Sequence, residues 1–500
     1  MLAPSTDDGY YIIASLGTAF TGNPGFWIGD DFAPVFFLPI AFTYFYGLLL
    51  KLIMVVGFDF GPFGFRFFQL LFIFLLPISI FLMLRRLYPV DHGMRLLILL
   101  ACLSFTHFVQ SAITVRPEVL GALLFIASLL LKGKQSTWAP FPAFVLALSG
   151  MVHPVFTLLV GVVFVTALFR TDKQHKLRKW FTSLIAFSLP FLVLGIYYLI
   201  NLVQFRQQTL GRADFLSADM WSTPTVIWNN ILFWNNVDGI EYGLFSGYPA
   251  VGIVMVMFAS TCLVLYRRVG LWGDAVLWVC WPILFVQWFV FLMLPAFLPY
   301  LAVSSFLASL NIVLLFQMPR TWMLIPRFAW MISVGGMLIC LVFVGFQGGK
   351  FLLVPSERLT PYGLHSNMAP LLENDTTEFY TSNARLIPPL IDYFYENGDV
   401  RLNLTYMSPH CLPGDLFKRA NQYSLSVVPL SDMSNTFWGL NRRLVDHAQE
   451  NELSFLMKGS QVRVTLIPGD EIYADDKNLI IRASDVSVNA DPQACFDKSG

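Results

Sequence analysis

Residues 65–89 read FRFFQLLFIFLLPISIFLMLRRLYP. From Phe67 to Leu84 no charge interrupts the run, and Arg85-Arg86 close it. A helix crossing a bilayer needs roughly 20 mostly apolar residues, and Lys and Arg collect at its cytosolic end. The stretch meets both conditions, so it predicts a span whose Arg-Arg end is cytosolic. The rest of the chain agrees: of 500 residues 56% are hydrophobic and 13% charged, where soluble domains carry about 25% charged residues. Mean hydropathy is +0.63. The sequence therefore predicts an α-helical polytopic integral membrane protein. Its formal net charge is zero, so no global field points to nucleic acid.

Outward from this span, 95–112 predicts a return crossing, Thr114-Val115-Arg116-Pro117-Glu118 a charged turn, and 119–131 a crossing back to Lys132 and Lys134. The run from Trp138 to Phe169 is too long for one helix and breaks at Gly150-Met151-Val152-His153-Pro154. Both its ends are basic, which requires an even number of crossings. It reads as a hairpin of two short helices with His153 at its far side. Residues 181–203 cross outward, 204–247 form a polar, aromatic segment, and spans follow near 248–266, 272–293, 297–317 and 328–347. Residues 32–57 are apolar but interrupted by Pro34 and Pro39. Parity favours an interfacial helix there, because the N-terminus then lies outside. The expectation is about 10 transmembrane helices plus interfacial helices, in a membrane domain of residues 1–349.

Residues 350–500 change character and predict a small extracytoplasmic α/β domain. Strands are expected at 400–407, 423–430, 453–467 and 478–484, and helical periodicity runs through 382–396 and 439–450. Of the six Cys, four fall in apolar runs, and Cys411 and Cys495 would meet an oxidising compartment if the domain is outside. The first residues lack a basic n-region, so no secretory signal peptide is read there.

The ionisable residues that membrane topology alone leaves unexplained fall on one side: Asp7, Asp8, Asp30, Asp31, Arg116, Glu118, His153, Arg206 and Arg212. Each has a plain structural reading beside a functional one. Asp7-Asp8 is also an acidic N-terminal turn. Arg116-Pro117-Glu118 also opens a helix, with Pro early and Glu favoured by the dipole. His153-Pro154 also makes a turn, Asp30-Asp31 an N-cap, and Arg206 and Arg212 headgroup anchors. Together, acids and bases at one membrane face suit transfer from a lipid phosphate. A carboxylate takes the proton of an acceptor hydroxyl, and positive charge or a divalent metal stabilises the departing phosphate.

Three stretches carry a resemblance: TDDGYYIIASL (6–16), the span at 65–89, and AITVRPEVLGALLFIASLLL (112–131). An early D-[DE]-x-x-Y pair, a Pro-containing interfacial helix, a span ending Arg-Arg-Leu-Tyr, an A-x-x-x-R-P-E helix opening and a hairpin with a polar-Pro tip resemble the GT-C superfamily. These are polytopic glycosyltransferases using polyprenyl-phosphate sugars, among them lipid A aminoarabinose transferases and protein O-mannosyltransferases. The likeness covers mainly residues 1–170. The family has a transmembrane helix before the acidic pair, whereas Asp7 here has six residues ahead of it. The Trp-Trp-Asp-Tyr-Gly motif of oligosaccharyltransferase catalytic subunits is absent.

The resemblance implies an inverting glycosyltransferase in a bacterial inner membrane or endoplasmic reticulum membrane. It would move a sugar from a polyprenyl-phosphate donor to a lipid or protein glycan acceptor on the periplasmic or lumenal face. Asp7, with its neighbour Asp8, takes the catalytic place. Arg116, Glu118, His153, Arg206 and Arg212 are the candidate substrate-binding residues, and Asp30 and Asp31 the candidate metal ligands. Two other classes stay open, a transporter or flippase of lipid-linked glycans and a non-catalytic membrane assembly subunit.

Overall fold

The computed structural model describes residues 6–28, 31–36, 38–56, 66–87, 92, 115–133, 138–169, 176–202, 205, 235–237, 240–242, 331, 335, 379–381, 404–406, 428–429, 437–441, 445–449, 452–456, 463–474 and 478–489. The expected spans at 95–112, 248–266, 272–293, 297–317 and most of 328–347 lie outside these residues, as does the helix expected at 382–396. Packing divides the chain into two units. One comprises Met1–Phe68, Asn201–Phe215 and Pro355–Gly500, the other Gln69–Ile200 and Leu216–Val354. The domain boundary near residue 350 stays an expectation.

In the first unit, α1 (Thr6–Thr21) packs against α2 (Ile40–Val56). Small residues at the crossing set the closeness. A Cβ on Gly47 would strike the Ser15 carbonyl oxygen and lie 2.5 Å from Thr18 Cβ. Tyr11 meets Phe42 edge-on at 5.4 Å between ring centroids, and Phe42 and Tyr46 are wholly buried. Opposite this buried stripe, Tyr44, Phe45, Leu48, Leu52 and Val55 are exposed, the pattern of a helix with one apolar face on protein and one on lipid.

Between these helices the expectation for 32–57 needs correction. Residues 25–34 form a hairpin, β1 (Gly25–Ile28) antiparallel to β2 (Asp31–Pro34), and the helix begins only at Ile40. The two prolines are the cause. A proline inside a helix loses an N–H and clashes with the preceding turn. Pro34 therefore ends the strand, and Pro39 sits just ahead of α2, its carbonyl accepting from the N–H groups of Phe42 and Thr43.

The same unit holds an eight-stranded mixed sheet of β5 (Phe379–Thr381), β6 (Leu404–Tyr406), β7 (Val428–Pro429), β8 (Phe437–Asn441), β9 (Val445–Gln449), β10 (Glu452–Leu456), β11 (Arg463–Ala474) and β12 (Asn478–Asn489). Its order is β6-β5-β8-β12-β11-β10-β9, with β7 also on β12. β5 runs parallel to β6 and β8, and the other pairs are antiparallel. Ile481 faces Trp438 across the β12–β8 ladder, and with Leu479 they form one buried face. Pro468 cannot donate to the ladder, and the β11–β12 register shifts on both sides of it. All four expected strands contain strand. The helix read at 439–450 is corrected: its residues end β8 and make β9, where pairing with β10 overrides the local periodicity.

The second unit is helical. Continuing from its first turn, α3 (Phe67–Leu87) is the span read from the opening stretch, ending in Arg85 and Arg86. It is followed by α4 (Pro117–Lys132), α5 (Pro140–Val152), α6 (Pro154–Phe169) and α7 (Lys176–Ile200), with a short hairpin of β3 (Asn235–Val237) and β4 (Ile240–Tyr242). The 138–169 run breaks after Val152, between α5 and α6. Phe67–Leu87 and Trp180–Ile200 are long and apolar enough to cross a membrane by length and composition.

Candidate functional site

The start of α4 determines the site. Arg116 is extended (φ −145°, ψ 151°), and Pro117 takes the first helical position, where its fixed φ fits and its missing N–H is no loss. Glu118 follows in the first turn. Because Arg116 is still outside the helix, its side chain can fold back onto the carboxylate two residues on. Its Nε donates to Oε1 and Oε2 of Glu118 at 3.1 and 3.2 Å, and its Nη2 donates to Oε1 at 2.7 Å. Glu118 is wholly buried, and the Arg116 side chain is 11% exposed. Such a fork is a charge-assisted contact that fixes orientation as well as distance.

The third member comes from the break between α5 and α6. A residue before proline is driven out of the helical region, and His153 caps α5 in an extended conformation (φ −147°, ψ 130°). Its carbonyl accepts from the N–H of Phe156 at 2.9 Å. Two contacts bring this break to α4. Ser149 Oγ donates to the Gly121 carbonyl at 2.8 Å. A Cβ on Gly121 would sit 2.7 Å from Phe156 Cε2, so the glycine is what lets the wholly buried Phe156 ring approach α4. His153 Nε2 then lies 3.8 Å from Glu118 Oε1, beyond hydrogen-bond reach.

Burial pulls the imidazole down to about 4; the Glu118 carboxylate opposes that shift and the Arg116 guanidinium adds to it. At pH 7 His153 is therefore neutral, and its approach to Glu118 is not an ion pair. The cluster is one buried Arg–Glu pair of zero net charge beside a neutral histidine. Of its charged members, Arg116 alone keeps a little exposure, so positive charge is what the cluster can present outward.

Of the residues expected to act, Arg116, Glu118 and His153 are thus brought together. Asp7 and Asp8 lie in the first turn of α1, where the helix dipole favours carboxylates. Tyr10 beside them is half-buried and Tyr11 buried. Asp31 opens β2 opposite Ile28, while Asp30, Arg206 and Arg212 lie outside the described residues. Among the described residues no three His, Cys, Asp or Glu assemble as a metal set. The sequence reading passed over Arg66, which is buried just ahead of α3. A lone arginine within the aromatic stretch GFRFF was the available signal.

No protein-family model matches the sequence, and no curated protein matches it. Solved structures are similar. The crystal structure of ArnT from Cupriavidus metallidurans in the apo state is 11% identical, over 96% of this chain and 93% of that one, with a TM-score of 0.49. The crystal structure of ArnT from Cupriavidus metallidurans bound to undecaprenyl phosphate is 11% identical, over 98% and 94%, with a TM-score of 0.44.

Proposed function

We propose that this chain is a membrane glycosyltransferase. It moves one sugar, with inversion, from a polyprenyl-phosphate carrier to an acceptor hydroxyl at the periplasmic or lumenal face. The carrier is of the class named for one of the similar structures, undecaprenyl phosphate; the weight of the reading rests on this chain's own residues. About ten spans and an extracytoplasmic domain at 350–500 belong to the same proposal.

The observation that carries it is where the buried charges sit. Arg116 and Glu118 are at the opening of α4, and His153 is in the break between α5 and α6. An ionisable cluster buried among apolar helices costs enough to imply a role. A transporter holds such groups near mid-span; Arg116 and Glu118 lie at a helix start, which the proposed topology puts at the level of a membrane surface. A transferase acting on a lipid phosphate needs fixed charge at that level.

In the proposed step Asp7 accepts the proton of the acceptor hydroxyl as its oxygen bonds to the anomeric carbon. The bond from that carbon to the phosphate oxygen breaks, and its electron pair leaves on the phosphate. Asp8 beside Asp7 supports the base, and Arg116 meets the phosphate charge. Arg206 and Arg212 are further phosphate partners in this scheme. A divalent metal at Asp30 and Asp31 is part of the same proposal, and no step runs through it.

The test is transfer from a polyprenyl-phosphate sugar in membranes carrying the intact chain. Asp7→Asn should lower turnover at least about 100-fold, the lower range for losing a general base, with unchanged amounts of folded protein. Full activity in both Asp7→Asn and Asp8→Asn would sink the reading. In that case loss of complex formation on deleting 350–500 would favour an assembly subunit.

A further inference from the structure

We propose that the corner made by the end of α4, the start of α5 and the start of α7 binds the phosphate of an anionic phospholipid. It lies at the other end of α4 from Arg116, at Lys132. Lys132 Nζ stands 5.7 Å from the centroid of the Trp138 ring. Trp138 is 2% exposed, and its indole Nε1 is buried without a hydrogen-bond partner. The indole N–H only donates, so what this atom lacks is an acceptor. Ser183 Oγ donates to the Trp138 carbonyl at 2.5 Å, which ties α7 to the same residue. The exposed Arg178 and Trp180 precede Ser183 on α7.

The sequence around this corner is basic. From Val119 to Lys179 the sequence contains one acid, Asp172, against Lys132, Lys134, Arg170, Lys173, Lys176, Arg178 and Lys179. Topology explains basic residues at helix ends, and the helix dipole explains Lys132. Neither explains an unpartnered buried N–H beneath a cation. The bilayer supplies what is missing. Trp180–Ile200 has the length and hydropathy of a span, and most of it is left uncovered by the protein. Trp180 marks the headgroup level, where aromatic residues gather. Basic residues flanking a span recognise anionic headgroups. A phosphate oxygen reaching the indole edge under Lys132 completes the set.

The experiment is thermal unfolding of the intact chain in detergent with added phosphatidylglycerol, phosphatidylcholine or inorganic phosphate. Phosphatidylglycerol should raise Tm by several degrees and the other two should not. Trp138→Phe, which keeps the ring and deletes the N–H, and Lys132→Gln should each remove at least half of that rise. Should Trp138→Phe fail to fold, Lys132→Gln decides alone. Equal rises with both lipids, or variants that keep the full rise, would overturn the proposal. A matching rise with inorganic phosphate would assign the corner to a free anion and overturn the lipid.

Discussion

Arg116 clasps Glu118 through both Nε and Nη2, with the closest contact at 2.7 Å, and the carboxylate it holds is wholly buried. Breaking a buried pair from one side leaves the other charge uncompensated, which costs about 3–5 kcal/mol. Glu118→Gln keeps the shape and strands the guanidinium. It should therefore unfold at markedly lower temperature in detergent. Arg116→Lys should also be destabilising, because an ammonium cannot reproduce the two-pronged contact. A Glu118→Gln midpoint within a degree of the parent would show that the pair carries no such weight.

His153 gives the pH dependence. Its folded value is about 4, below the usual 6.5, because burial disfavours the imidazolium. Between these values the unfolded chain binds the extra proton and the folded chain does not, so stability rises with pH across this window. The contribution is complete above 6.5 and is lost as pH falls through about 4. It amounts to about 3 kcal/mol, from a difference near two and a half units at 1.36 kcal/mol each. Thermal midpoints from pH 4 to 7 should fall toward acid more steeply for the parent than for His153→Gln. Parallel curves would remove His153 from the account.

What was legible in the sequence follows from proline and charge. The break at His153-Pro154 was readable because a residue before proline leaves the helix. The α3 span was readable from length and Arg85-Arg86 alone. The Arg116–Glu118 contact was not, because residues two apart on a helix do not face each other. It exists because Arg116 stops short of the helix. The hairpin at 25–34 hid behind apolar composition, and Asp31 proved to open a strand instead of capping a helix. β9 was misread because its periodicity is local and its pairing with β10 is not.

Gly47 tests what holds α1, whose first turn carries the acidic pair. A Cβ there meets the Ser15 carbonyl and Thr18 Cβ, both close to the α1 backbone, so no flexible side chain can yield. The helices must separate. Gly47→Ala should cost about 1–3 kcal/mol, the usual range for overpacking, read as a lowered thermal midpoint. Gly161→Ala, where no atom lies within 4 Å of the added carbon, is the control and should unfold no earlier than the parent. Equal midpoints for Gly47→Ala and the parent would mean that α1 is not held by this contact.

The side of the membrane that α1 faces decides whether its carboxylates can meet an outward-facing acceptor. Seventeen residues of α2 reach about 25 Å at 1.5 Å per residue, short of the roughly 30 Å hydrocarbon core. Lys51 is exposed beside Leu48 and Leu52 on the stripe opposite Phe42 and Tyr46. A lysine on that stripe is costly at the centre of a bilayer and comfortable at its surface. The expectation is that α2 lies along the interface and that Thr6 is outside. In a Cys-free background, Thr6→Cys should react with an impermeant thiol reagent in sealed cells, as should His365→Cys in the segment expected outside. Reaction at position 6 only after permeabilisation would mean that α2 crosses. Asp7 and Asp8 would then face the cytosol, and the proposed base would be on the wrong side of the membrane.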